Sequence, residues 1–188
     1  MQRLAVSLAS MLALVQPATA AAKVPPAFAD VFQDHAVLQR DAPIRIWGSA
    51  PARADLTLTF DARRVPVRAD ASGRWEATLE AVAAGGPHDL EIRDDGGAGQ
   101  RIEDVLSGDV WLCSGQSNME LQVWRSLDAR AEIAAASNDR IRVLTVPQAG
   151  AAAPRSTFGA PVRWATTTPE TVRDFSATCY YFARELQR

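Results

Sequence analysis

Between residues 31 and 105 the chain alternates short apolar–polar runs with turn residues, at a spacing of about ten residues. That rhythm constrains the fold more than any other feature. A run too short for several helical turns buries one face most readily as a strand. Residues 36–38 are compact and apolar. Ile44, Arg45, Ile46 and Trp47 alternate, and Gly48 ends the run. Residues 56–60 alternate at period two, and residues 64–67 read as their partner across the turn Asp61, Ala62 and Arg63. Residues 74–79 follow the Ser72-Gly73 turn, and residues 90–92 lie between Gly85-Gly86-Pro87 and the turn at 94–97. No stretch here pairs helix caps with a 3.6-residue period. These residues predict a β-sandwich domain over 23–106.

The pattern changes after Ser107 and Gly108. Val110, Trp111, Leu112 and Cys113 form a continuous apolar run, as in a strand buried on both faces. Ala-rich residues 127–136 predict a helix, and residues 141–146 a further strand stopped by Pro147. Strand, helix, strand in that order predicts a parallel βαβ unit. Residues 148–160 are rich in Ala, Gly and Pro and read as a surface loop. Residues 174–188 predict a helix whose Phe175, Cys179, Phe182 and Leu186 share one face. The class is mixed α/β, with a second unit over 107–188.

The first 22 residues read as a signal peptide outside the fold. Arg3 supplies the positive region, residues 4–15 an uncharged apolar run, and Ala18-Thr19-Ala20 a cleavage site. The run is too short to span a bilayer. The expected destination is periplasmic or extracellular, with no membrane attachment after removal of the signal. A net charge of −2 excludes the basic footprint of a nucleic-acid binder. Two cysteines are too few for a disulfide scaffold, and no Cys/His cluster has zinc spacing. Neither a phosphate-binding loop nor a dinucleotide fingerprint is present.

The candidate for chemistry is Ser117, in the turn region after the apolar run. α/β folds place nucleophiles and ligands at such turns. Spacing leaves two readings open: a nucleophile, or a serine capping the next helical turn. The G-x-S-x-G elbow is not satisfied, because Met119 stands where its last glycine belongs.

A longer run narrows the choice. VLSGDVWLCSGQSNME at 105–120 closely resembles the nucleophile block of the sialate O-acetylesterase family, within the SGNH hydrolase superfamily. FQDHAVLQR at 32–40 with Pro43 and Trp47-Gly48, DASGRW at 70–75, Gly85-Gly86-Pro87, Ile141-Arg142, Val146-Pro147, Trp164, Pro169 and FSATCYYFAREL at 175–186 also resemble family stretches. The resemblance implies an N-terminal β-sandwich followed by the beginning of an SGNH-type hydrolase domain. It implies a serine esterase acting on O-acetylated sugars without metal or organic cofactor. Ser117 would attack the acetyl carbonyl, and its own N–H would help hold the oxyanion. Gln116 and Asn118 would flank it as substrate-binding or oxyanion residues. Apart from the resemblance, Trp124 lies seven residues past Ser117 and is a candidate for the pocket wall. The family's catalytic Asp and His and its further oxyanion donors match nothing in this sequence. The expectation is therefore a truncated, catalytically silent N-terminal portion.

The remaining residues have structural readings. His35 falls in a strand or turn block, and His88 reads as an exposed residue at a strand start. Trp47, Trp75 and Trp111 fit strand interiors. Cys113 and Cys179 fit buried free thiols, although an exported protein also admits a disulfide between them. Asp109 reads as a turn residue, and nothing aims Glu120 at Ser117. Two other function classes stay open: a non-catalytic carbohydrate-binding sandwich with a vestigial esterase segment, and an α/β hydrolase of other specificity, which Met119 weighs against. The sequence leaves the acetylated sugar and the oligomeric state open.

Overall fold

The computed structural model describes residues 24–187, and the signal segment expected at 1–22 lies outside them. The first half forms strands and turns without a helix. In chain order these are β1 (Ala27–Phe28), β2 (Val37–Gln39), β3 (Ile44–Ser49), β4 (Asp55–Phe60), β5 (Arg63–Arg68), β6 (Arg74–Leu79), β7 (Gly85–Asp94) and β8 (Gly99–Gly108). One sheet has the order β2-β8-β7-β4-β5, antiparallel except for the parallel β2–β8 pair. A second, antiparallel sheet has the order β1-β3-β6.

Period-two patterning aims these strands. Trp75, Ala77 and Leu79 of β6 are buried while Arg74, Glu76 and Thr78 are exposed. Leu56, Leu58 and Phe60 do the same in β4. Both sheets send side chains into one apolar cluster, with Ile46, Leu58, Leu90, Ile92 and Val105 fully buried. Each such side chain contributes about 1.5–3 kcal/mol by leaving water. Trp75 anchors the smaller sheet, its indole N–H donating to the carbonyls of Ala27 and Ser49 at 3.2 and 3.1 Å. Gly48 permits the close β1–β3 approach, because a Cβ there would meet the Ala27 carbonyl and the Trp75 ring.

After β8 come α1 (Ser117–Glu120), a 3-10 turn (Val123–Arg125), α2 (Ala129–Ala134), β9 (Asn138–Leu144), β10 (Trp164–Thr167), α3 (Pro169–Arg173) and α4 (Ala177–Leu186). Here several expectations need correction. Residues 110–113 are not a buried strand: they are irregular chain without a ladder, and Val110, Trp111 and Leu112 are 43%, 60% and 89% exposed. An apolar run is buried as a strand only where neighbouring strands flank it, and among the described residues none pairs with this one. Trp111 is thus not core; its ring meets the edge of Phe182, itself exposed. Among the described residues no parallel βαβ unit forms: its first expected strand is absent, and β9 pairs antiparallel with β10. The helix at 127–136 is shorter than its Ala content suggests, spanning Ala129–Ala134.

α4 also turns differently from its predicted face. Ala177, Cys179 and Tyr180 are buried, while Phe182 and Leu186 face out. Its buried side joins Val123, Ala136 and Val172 in a second apolar cluster. α3 has its own local cause: Thr168 caps it in a capping box with Thr171, and Pro169 opens it. Side chains tie this half to the first: Arg142 on β9 pairs with Asp104 on β8, Gln33 donates to the Val162 carbonyl, and the Trp164 indole donates to the Val31 carbonyl. Among the described residues no helix is long and apolar enough to cross a membrane.

Candidate active site

The motif segment leaves β8 at Gly108 and enters α1 at Ser117. Gln39 accepts a hydrogen bond from the Val110 N–H at 3.0 Å, and Arg40 pairs with Asp109 at 2.9 Å. Asp109 is therefore a paired residue directly after β8, well before the serine. Residues 111–117 then run exposed and irregular into the first helical turn. Gly115 lets that turn close, because a Cβ there would run into the Met119 side chain.

Ser117 is the first residue of α1, and the N-cap position falls on Gln116, whose side chain makes no capping bond. The capping alternative for Ser117 therefore does not hold. Its side chain is exposed, and no hydrogen bond to its hydroxyl occurs among the described residues. Its N–H lies in the first turn, where an α-helix leaves its donors without intrahelical partners. Gln116 and Asn118 flank it and are exposed as well. The Asn118 carbonyl is occupied, accepting from the Thr178 hydroxyl on α4 at 3.0 Å. Below it, Ala177 N–H donates to Leu121 O at 2.8 Å, and Val123 N–H donates to Phe175 O at 3.0 Å. These bonds stitch the segment after Ser117 onto the start of α4.

Trp124 is 47% exposed, with the guanidinium groups of Arg125 and Arg173 at 5.8 and 5.7 Å from its ring. Glu120 is engaged by the Gln148 amide rather than by Ser117. Neither histidine is bonded to the serine. His35 Nδ1 lies 2.6 Å from Asp104 Oδ2 and 3.2 Å from Arg142 Nη1. The hydrogen bonds from Arg142 to Asp104, at 2.6 and 3.1 Å, are the main reason the Asp104 carboxyl lies below its ordinary range; His35 adds to it. His88 is not the exposed strand-start residue expected. It sits inside β7, with its ring 4.8 Å from that of Phe60 and Nδ1 2.8 Å from Asp61 Oδ2. Among the described residues no group of three or more His, Cys, Asp or Glu converges to hold a metal ion.

Near Ser117 the structure decides one pairing that the sequence left open and adds one residue that it missed. Cys113 and Cys179 are not free thiols; they form a disulfide with Cα atoms 6.2 Å apart. Local pattern placed each cysteine in an apolar setting, but pairing across 66 residues depends on how α4 packs. Thr178, the neighbour of Cys179, carried no local signal beyond its place in the 175–186 run.

No family model matches the chain. Two curated sialate O-acetylesterases, from Pongo abelii and Homo sapiens, are each 30% identical to it over 176 residues, which covers 85% of this chain and 34% of theirs. The crystal structure of a carbohydrate acetylesterase from Xanthomonas citri matches with a TM-score of 0.83 and 38% identity, covering 87% of this chain and 37% of that one. The chain spans about a third of the length of these relatives. Along most of its length, and not at the serine motif alone, this chain resembles the sialate O-acetylesterases.

Proposed function

We propose that this chain carries the nucleophile segment of a serine esterase that removes O-acetyl groups from sugars, with Ser117 as the nucleophile. One observation carries the reading: Ser117 heads a helical turn with an exposed, unengaged hydroxyl, in a chain similar to sialate and carbohydrate acetylesterases. The Ser117 hydroxyl oxygen adds to the acetyl carbonyl, and its own N–H, free in the first turn, donates to the oxygen on which negative charge develops. Gln116 and Asn118 are proposed to contact the sugar or the oxyanion from either side, and Trp124 to stand at the pocket wall. The division proposed is a β-sandwich unit over 23–106 and an SGNH-type esterase unit over 107–188, in keeping with the two separate apolar clusters. Export through the segment at 1–22 belongs to the same proposal.

A serine hydroxyl is a poor nucleophile until a base takes its proton. His35 and His88 are both held by aspartates away from any bond to Ser117. The 188-residue chain by itself is accordingly proposed to be silent, since general-base assistance contributes about 10²–10⁴-fold.

The test joins this chain to the unmatched part of the Xanthomonas citri acetylesterase and measures acetate release from an O-acetylated sialic acid and a chromogenic acetyl ester. The folded chimera should turn over, and Ser117→Ala should lower its turnover by several orders of magnitude. A variant keeping more than about a tenth of the activity places the nucleophile elsewhere. Saturable, Ser117-dependent hydrolysis by the 188-residue chain alone refutes the missing base.

A further inference from the structure

We propose that the Cys113–Cys179 disulfide is a positioning element for Ser117; this rests on the reading of Ser117 as the nucleophile. The segment that delivers the serine has little else to hold it. After the Val110 N–H bond to Gln39, residues 111–117 have no ladder and are exposed. Irregular chain with solvent-facing backbone and few buried contacts opens locally at little cost. Two ties arrest it, and both lead to neighbouring residues of one helix. Cys113 is bonded to Cys179, and the Asn118 carbonyl accepts from the Thr178 hydroxyl at 3.0 Å.

The span free to move is therefore only residues 114–117, closed at both ends on the same turn of α4. That turn is itself fixed: Ser176 caps it by accepting from the Cys179 N–H, and Cys179 and Tyr180 are buried. Without the disulfide the free span extends back to residue 111, and the Trp111–Phe182 ring contact, exposed on both sides, is what restrains it there. A longer closed loop samples more conformations. Catalysis is sensitive to that freedom, since a misplacement of about 1 Å can lower a rate about 10²-fold. Cys113 is the exposed partner, so the bond is reachable by a reductant from its side.

Hydrogen exchange followed by mass spectrometry tests this on the 188-residue chain, oxidised and after phosphine reduction, beside a Cys113→Ala variant. Non-reducing peptide mapping first establishes the pairing; two free thiols in the untreated protein overturn the proposal. The expected result is an increase of about tenfold or more in exchange at Met119, Glu120 and Val123, whose N–H groups are hydrogen-bonded, with the strands of residues 44–107 unchanged. No change at these three amides overturns the proposal, and so does a uniform rise throughout, which would mark a merely stabilising cross-link. In the ester-hydrolysing chimera, loss of the bond should lower kcat about tenfold or more with KM unchanged. Unaltered kcat likewise overturns it. Failure of the nucleophile reading appears separately, as activity retained by Ser117→Ala.

Discussion

Arg142 on β9 forks onto Asp104 on β8, with Nη1 at 2.6 Å from Oδ2 and Nη2 at 3.1 Å from Oδ1. The Arg142 side chain is 3% exposed, whereas Asp104 keeps 37% of its side-chain surface in water. One residue of the two-stranded β9–β10 sheet is thereby fixed to the edge-proximal strand of the five-stranded sheet. The pair is a charged tie at the junction between the strands of the first half and the β9–β10 sheet.

Removing the cation should loosen that junction. Arg142→Ala strips a two-point hydrogen bond from Asp104 and empties a buried space. The partial exposure of Asp104 moderates the cost, which should be about 1–3 kcal/mol. Urea unfolding of the variant beside the parent measures it; an unchanged midpoint would show that the junction does not depend on the pair.

The same pair gives the acid limb a direction. The Arg142 guanidinium holds the Asp104 carboxyl below the ordinary carboxylate range. The unfolded chain therefore binds the proton first as the pH falls. The stabilisation is complete above about pH 4 and is lost as pH drops through the depressed folded value. Asp104→Asn should flatten the stability profile in that window. Urea midpoints measured from pH 7 down to pH 3 check this, and parallel acid limbs for variant and parent would contradict it.

Trp75 should dominate the energetics of the smaller sheet. It is 1% exposed, meets Phe28 edge-on at 5.6 Å, and donates to two strand carbonyls. Trp75→Ala should cost about 3–5 kcal/mol by cavity formation. Trp75→Phe keeps much of the volume but loses the donor, and should cost less. Thermal unfolding followed by tryptophan fluorescence and circular dichroism ranks the two; equal losses would mean that the indole N–H bonds, lost in both variants, outweigh the bulk that phenylalanine restores.

Gly115 offers a probe of the serine turn that leaves both cores untouched. A Cβ at this position collides with the Met119 side chain. Gly115→Ala should therefore shift α1 and lower the chimera's turnover about tenfold or more, at nearly unchanged stability. Full activity in Gly115→Ala would show that Met119 yields without moving Ser117.

Strands β2 to β7 were legible in the sequence because their information is local, whereas β1 and β8 carry no such alternation between turns and were not assigned from it. Alternation at period two decides which face of a residue such as Leu58 or Trp75 goes inward, and turn residues decide where each run ends. The resemblance to esterases was legible for the same reason, since the 105–120 run is contiguous. Tertiary structure decided everything that depends on a distant neighbour. Residues 110–113 have the composition of a buried strand, but burial is a property of the strands alongside, and among the described residues none lies there. β9 reads as a strand by itself, yet its partner β10 and their antiparallel sense come from the chain's return after residues 145–163. Cys113 and Cys179 each look like a small apolar residue until the packing of α4 brings their Cα atoms within 6.2 Å. Arg142 is an ordinary strand arginine in sequence. The fold alone sets it against Asp104 and His35, because their separations of 38 and 107 residues lie beyond any local pattern.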